Sequence, residues 1–123
     1  MNIVLFGRIP SKKNSKQLVC RGRFPMVLSS EKFKDWHIEA SWQLKPQVYS
    51  IKEPLKNIHM VLTFFAPDKR ATDLSNKAES VMDLLVDNRV IEDDNWFVCP
   101  DLHLKFGGVD TLKPRCEIEI IQQ

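Results

Sequence analysis

DLSNKAESVMDLLVDNRVIEDD, residues 73–94, carries two patterns at once. Ala78, Val81, Met82 and Leu85 recur at helical spacing, so a helix from about Leu74 to Val86 has one apolar side turned to a core. Asp73 or Thr72 stands where its N-cap belongs. Asp73, Asn76, Lys77, Ser80, Asp83 and Asp87 fall on its polar side, with Ser75 and Glu79 at the flank. Seven carboxylates share these twenty-two positions, in a chain whose net charge is +2.

The neighbouring stretches read as strands. Asn57 to Phe65 alternates Ile58, Met60, Leu62 and Phe64, and Val61 and Phe65 make its other face partly apolar, which predicts a strand central in its sheet. Beyond the helix, Cys99 to Phe106 alternates Leu102, Leu104 and Phe106, Gly107-Gly108 is expected to begin a turn, and Arg115 to Ile121 forms the last strand. Residues 2–9 are rich in β-formers and form a first strand, stopped by Pro10. SKKNSKQ is a loop by composition, and LVC and FPMVL flank Gly22 as a short ribbon that Pro25 assigns to a sheet edge. Ser29 or Ser30 caps a further helix whose apolar side is Phe33, Trp36, Ala40 and Leu44, and Pro46 closes it. The expected fold is α+β, a mixed β-sheet with two packed α-helices, in a single domain over residues 1–123.

Composition sets outer bounds. A chain of 123 residues, 43% hydrophobic and 28% charged, suits one globular core. No stretch approaches the roughly 18 apolar residues of a membrane span, and the Met1 end lacks a signal-peptide core, so a cytoplasmic protein without membrane contact is expected. Cys20, Cys99 and Cys116 are widely spaced with no CxxC pair, which disfavours a disulfide framework or a thiolate zinc site. His37, His59 and His103 are equally scattered. Residues 1–34 hold eight basic side chains against Glu31 alone, a net +7, which leaves −5 for the rest. A basic arm on an acidic body suggests an anionic partner held near carboxylates.

Asp93 and Asp94 lie between the apolar pairs Val90-Ile91 and Trp96-Phe97, a setting expected to bring them close to the body of the fold. Like charges gathered there repel unless a cation compensates them. Mg²⁺ fits, since it takes one or two carboxylates together with waters and phosphate oxygens. Asp73 at one end of the helix meets Asp93 or Asp94 only if the chain returns past the helix's start. Metal-bound carboxylates beside a basic arm point to phosphodiester hydrolysis.

The succession Asp73-x-x-Asn76, Asp83-Leu84-Leu85 and Asp93-Asp94, followed by a terminal β pair, resembles the RusA family of Holliday junction resolvases, including its phage and prophage members. The opening IPSKKN and the later SSEKFKDW look like that family's N-terminal motif and first helix. The resemblance implies a homodimeric, Mg²⁺-dependent endonuclease, with Mn²⁺ as a substitute, that nicks two strands of four-way junction DNA symmetrically in recombination and repair. It assigns catalytic roles to Asp73, Asp94 and Asp93, which also bind the metal. Two positions depart from the family pattern. Ser75 stands where a second Asp is common, and Glu79 where a functional Lys stands. Glu79 is therefore a candidate replacement metal ligand and Lys77 a candidate replacement cation.

Lys12, Lys13, Asn14, Lys16, Arg21, Arg23, Lys69 and Arg70 are the expected DNA contacts. Trp36 and Trp42 are expected in helix packing, and Trp96 and Phe97 in the core rather than stacked on DNA. A non-catalytic DNA-binding protein of the same fold and a nuclease for other branched DNA are the alternatives.

Overall fold

Inward alternation along the strand of residues 58–66 organises the computed structural model, which describes residues 1–11 and 31–122 in full and residues 16–21 and 24–29 as backbone alone. The chain runs β1 (Asn2–Phe6), β2 (Lys16–Arg21), β3 (Phe24–Ser29), α1 (Glu31–Val48), β4 (Ile58–Ala66), α2 (Leu74–Asp87), β5 (Asp101–Val109) and β6 (Arg115–Gln122). Ile58, Met60, Leu62 and Phe64 are buried on one face of β4, which lies inside a four-stranded sheet of order β1-β6-β4-β5. β6 pairs antiparallel with both β1 and β4, whereas β4 and β5 are parallel. The sheet is mixed, and with two helices the fold is α+β, as the sequence pattern predicts. β2 and β3 form the expected antiparallel ribbon, as a two-stranded sheet of their own and not at the edge of the four-stranded one.

Parallel neighbours require a crossover, and α2 supplies it between β4 and β5. Ala78, Val81, Met82 and Leu85 are buried as expected, and Leu84 and Ser80 are buried with them. Ser80 therefore leaves the polar side assigned to it. Its hydroxyl donates to the Pro10 carbonyl at 2.6 Å, which satisfies two polar groups out of reach of water. On α1, Phe33, Ala40 and Leu44 are buried and Trp36 packs against the core, but Trp42 is 68% exposed, with the Lys45 ammonium 4.6 Å from its ring centre.

Pro46 lies inside α1 rather than closing it. The last turn is held from outside the helix, because Gln43 and Gln47 bond to β1. The Gln47 amide accepts from Val4 N–H at 2.9 Å and donates to its carbonyl at 2.8 Å, and Gln43 does the same for Phe6 at 2.7 and 3.0 Å. Two amide side chains thus occupy the outward backbone groups of β1 as a neighbouring strand would. The first strand is shorter than residues 2–9 because Gly7, at φ +106, turns the chain out of the ladder.

Gly107-Gly108 does not turn. β5 continues through both glycines to Val109, with a register shift opposite Phe64 and Phe65. A Cβ on Gly107 would lie 2.7 Å from the Phe65 ring and 2.9 Å from Thr63 Cγ2. The ring cannot yield freely, because the Arg115 guanidinium stacks 3.8 Å from its centre. Gly107→Ala is expected to destabilise the protein by about 1–3 kcal/mol, the usual cost of overpacking, read as a lower urea midpoint.

Candidate active site at the start of the second helix

Asp73 occupies the N-cap position of α2 with extended backbone (φ −76°, ψ 126°), yet its side chain makes no capping bond. The carboxylate instead accepts from Asn76 Nδ2 at 3.2 Å and stays exposed. It opens onto a cavity of about 450 Å³ at the carboxyl ends of the parallel strands. Ligands of open sheets gather at that end, where the strands stop and the crossover leaves room.

Phe64, Phe65, Phe106 and Val109 wall the cavity, and five basic side chains, Arg8, Lys69, Arg70, Lys77 and Arg115, line it against the carboxylates of Asp68 and Asp73. The cations are held in different ways. Arg70 donates from Nε and Nη2 to Asp68 Oδ2 at 3.1 and 2.9 Å, and these bonds hold the Asp68 carboxyl below its ordinary pKa. Arg115 is matched by Glu117 and Asp110, each at 2.8 Å. Arg8 and Lys69 stand in no ion pair among the described residues. Lys77 is half-buried and donates to the Ile9 carbonyl. Burial lowers its pKa, and the nearby charges of Arg8, Lys32 and Arg70 lower it further.

Asp93 and Asp94 lie elsewhere. Leu55 N–H donates to the Val90 carbonyl and Glu92 N–H to that of Leu55, both at 2.9 Å, while Ile58 N–H bonds to the Val98 carbonyl at 2.9 Å. These bonds hold the segment after α2 against the start of β4. Asp73 follows the end of β4, so the two carboxylate groups are separated by the length of α2, about 21 Å at the usual helical rise. Parallel pairing of β5 with β4 causes the separation, since the chain must return to the start of β4 before β5 begins. The return past Asp73 comes only at Val109, well after the Asp pair.

The Asp93 carboxylate accepts from Asp94 N–H at 2.8 Å and from Asn95 Nδ2 at 3.2 Å. Both aspartates are exposed, contrary to the partly buried setting expected of them. Val90, Ile91, Val98 and Cys99 enter the core on either side, but Trp96 and Phe97 are 76% and 81% exposed and pack edge to face on each other. The local Asn95 cap explains this. Its Oδ1 accepts from Phe97 and Val98 N–H at 3.0 and 3.1 Å, turning the segment outward before Val98 re-enters.

Ser75 and Glu79 are exposed on α2. Lys12, Lys13, Asn14 and Arg23 lie outside the described residues, as do the side chains of Lys16 and Arg21. Lys69 and Arg70 line the cavity. The sequence reading did not single out Arg8, Asp68 or Arg115, and only the Asp68-x-Arg70 spacing could have signalled one of them. Nor did it group His37 with Asp83 and Asp87, although their ligand atoms lie within 4.8 Å of one another and His37 Nε2 is 2.9 Å from Asp87 Oδ2. Two carboxylates one turn apart near a helix C-terminus oppose its dipole, and the imidazole of α1 offsets part of that cost.

No helix among the described residues is long and apolar enough to cross a membrane. Residues 8–121 match the family model described as endodeoxyribonuclease RusA. No curated protein matches the chain. Because the Ser80 hydroxyl fixes the Pro10 carbonyl beside the Ile9 contact of Lys77, Ser80→Ala should cost about 1–3 kcal/mol, as expected for a buried acceptor left unpaired. Chemical denaturation measures that loss.

Proposed function

Because the chain belongs to the RusA family of endodeoxyribonucleases, we propose that it is a Mg²⁺-dependent, structure-specific endonuclease that resolves four-way DNA junctions by paired nicks in recombination and repair. Beyond membership, the supporting observation is the placement of Asp73. Its carboxylate is exposed, makes no capping bond to the backbone of the helix it begins, and faces a cavity lined by five cations. Such a rim suits a phosphodiester backbone, and the exposed acid beside it suits a hard cation.

Asp73 fits Mg²⁺, which commonly takes one or two carboxylates and fills its shell with waters and phosphate oxygens. Bound there, the ion would supply Lewis-acid polarisation of the phosphodiester and an activated water. The protein's part is positional and electrostatic. Arg8 and Lys69, with no local ion pair, hold phosphate oxygens, while the acid-paired Arg70 and Arg115 stiffen the cavity. Lys77, fixed by the Ile9 carbonyl, presents a pre-oriented cation to the charge that develops on the cleaved phosphate. Lys12, Lys13, Asn14, Lys16, Arg21 and Arg23 extend the DNA contact along the arm. Asp93 and Asp94, the length of α2 away within the chain, would reach that ion only from a second copy of the chain. A homodimer suits the substrate, because a four-way junction offers two equivalent strands and a two-fold dimer two equivalent sites.

A second reading, a junction-binding protein without nuclease activity, is favoured by Ser75 and Glu79 and by the distance between the acidic groups within one chain. Cleavage assays separate the two. Asp73→Asn should lower Mg²⁺-dependent nicking of a synthetic junction by about a hundred- to a thousandfold, in the range of losing a principal electrostatic group, and leave junction binding intact or tighter. Binding without nicking by the wild type supports the second reading.

Raising salt from 50 to 200 mM should weaken binding about a thousandfold or more if six phosphates are contacted, as read from fluorescence anisotropy. Glu79→Gln tests the replacement ligand: unchanged Mg²⁺-dependent cleavage removes Glu79 from the metal site.

A further inference from the structure

A second group of donors lies at the far end of α2 from the cavity. Asp83 and Asp87 stand one turn apart on that helix and His37 of α1 faces them, so that one ligand atom from each lies within 4.8 Å of the other two. At the usual helical rise the two carboxylates are about 15 and 21 Å along α2 from Asp73. The candidate reaction therefore makes no use of them.

Their placement is unfavourable without a cation. Like charges at i and i+4 repel, carboxylates at the end of a helix oppose its dipole, and α2 has no basic residue in its last turn. His37 Nε2 meets Asp87 Oδ2 at 2.9 Å, but an imidazole in its neutral form brings one proton and no charge. The same three groups can instead turn their lone pairs to one ion.

We propose that His37, Asp83 and Asp87 hold a divalent transition ion of the Zn²⁺ type, at a site separate from the catalytic one, and that this ion fastens α1 to α2. The donor set decides the class of ion. Asp73 offers oxygen alone and suits Mg²⁺, whereas an imidazole nitrogen beside two carboxylates favours Zn²⁺, Co²⁺ or Ni²⁺. Two ligands at i and i+4 share one helix face, the spacing by which a helix presents two donors to zinc. Donors about 2.0–2.2 Å from a tetrahedral ion lie roughly 3.4 Å apart, so small rotations of the two Asp side chains bring these atoms to bonding distance. The His37 and Asp87 side chains are 23% and 53% exposed, which leaves the remaining position to water.

The two helices are already fixed to each other at this point. Phe33 and Trp36 pack on the His37 ring with centroids 6.1 and 6.3 Å away. The Asn88 amide donates to Ser41 Oγ at 3.0 Å, and that hydroxyl donates to the His37 carbonyl at 2.7 Å. Donors held in place this way lose little freedom on binding.

Titration of the chelator-stripped full chain with Co²⁺, in millimolar Mg²⁺, reads the site by visible absorption. One Co²⁺ should bind per chain, Mg²⁺ should not displace it, and no sulfur-to-metal band should appear. His37→Ala and Asp87→Asn should each weaken binding about a hundredfold or more, beyond the usual effect of losing only an outer partner of a ligand. Asp73→Asn should leave it unchanged. So should His59→Ala combined with His103→Ala, which removes the other two imidazoles, both paired with Asp101 at 3.3 and 2.9 Å. Zn²⁺ should also raise the urea midpoint of the wild type and not of Asp87→Asn, because an ion that binds only the folded chain stabilises it. Circular dichroism checks the fold of each variant, and His37→Gln replaces His37→Ala if that chain unfolds. A wild type that binds no Co²⁺ overturns the site, as does binding that Mg²⁺ displaces, that survives loss of His37 and of Asp87, or that disappears with Asp73 or with His59 and His103. Neither readout needs DNA, so the outcome is independent of the nuclease reading.

Discussion

Parallel pairing of β4 with β5 can be made only by carrying the chain back along the sheet, and α2 is the segment that carries it. Its buried apolar residues, Ala78, Val81, Met82, Leu84 and Leu85, share one hydrophobic core with Ile3, Leu5, Met60, Leu62 and Ile118 of the sheet, and Ser80 is buried among them. Full burial of each large aliphatic side chain contributes about 1.5–3 kcal/mol, so the position of this helix is set by its whole inner face. Asp73 has no freedom to move independently of that packing. The candidate site is therefore fixed by the core rather than by a loop.

The same crossover settles what a single chain can and cannot bring together. Cations from Arg8, before the arm, to Arg115, at the start of the last strand, converge on Asp73 because they all lie near the carboxyl ends of β4 and β5. Asp93 and Asp94 belong to the opposite end by the same topology. Rotating side chains cannot close a gap of this kind, which is the length of a fourteen-residue helix.

Periodicity exposed the elements with the cleanest alternation. β4, α2 and β6 fall within two residues of their expected bounds because a half-buried strand or helix writes its inner face into the residue order. The departures arise where tertiary contacts override local preference. Pro46 stays helical because Gln47 bonds to β1, Gly107-Gly108 stays in the strand because the glycines make room for the Phe65 ring beneath Arg115, and Ser80 is buried because Pro10 offers an acceptor. Asp73 was legible as a motif, and so were Lys69 and Arg70 as basic residues near it. Arg8 and Arg115 were not, since residues more than a hundred positions apart meet only through the pairing of β1 with β6. Whether the acidic pair could reach Asp73 was equally invisible, because it depends on the direction of β5, which alternation does not encode.

The charge at the start of α2 bears on Ser75 and Glu79 as well. Both are exposed near the start of α2, at the end where Asp73 meets the cavity. A carboxylate lost at position 75 leaves room there, and one gained at Glu79 lies a turn further along the face, so the charge at this end is shifted along the helix rather than removed. That shift leaves Asp73, among the described residues, the sole acid lining the cavity apart from Asp68, which Arg70 already occupies, so the charge that a bound cation meets there depends on Asp73 above all.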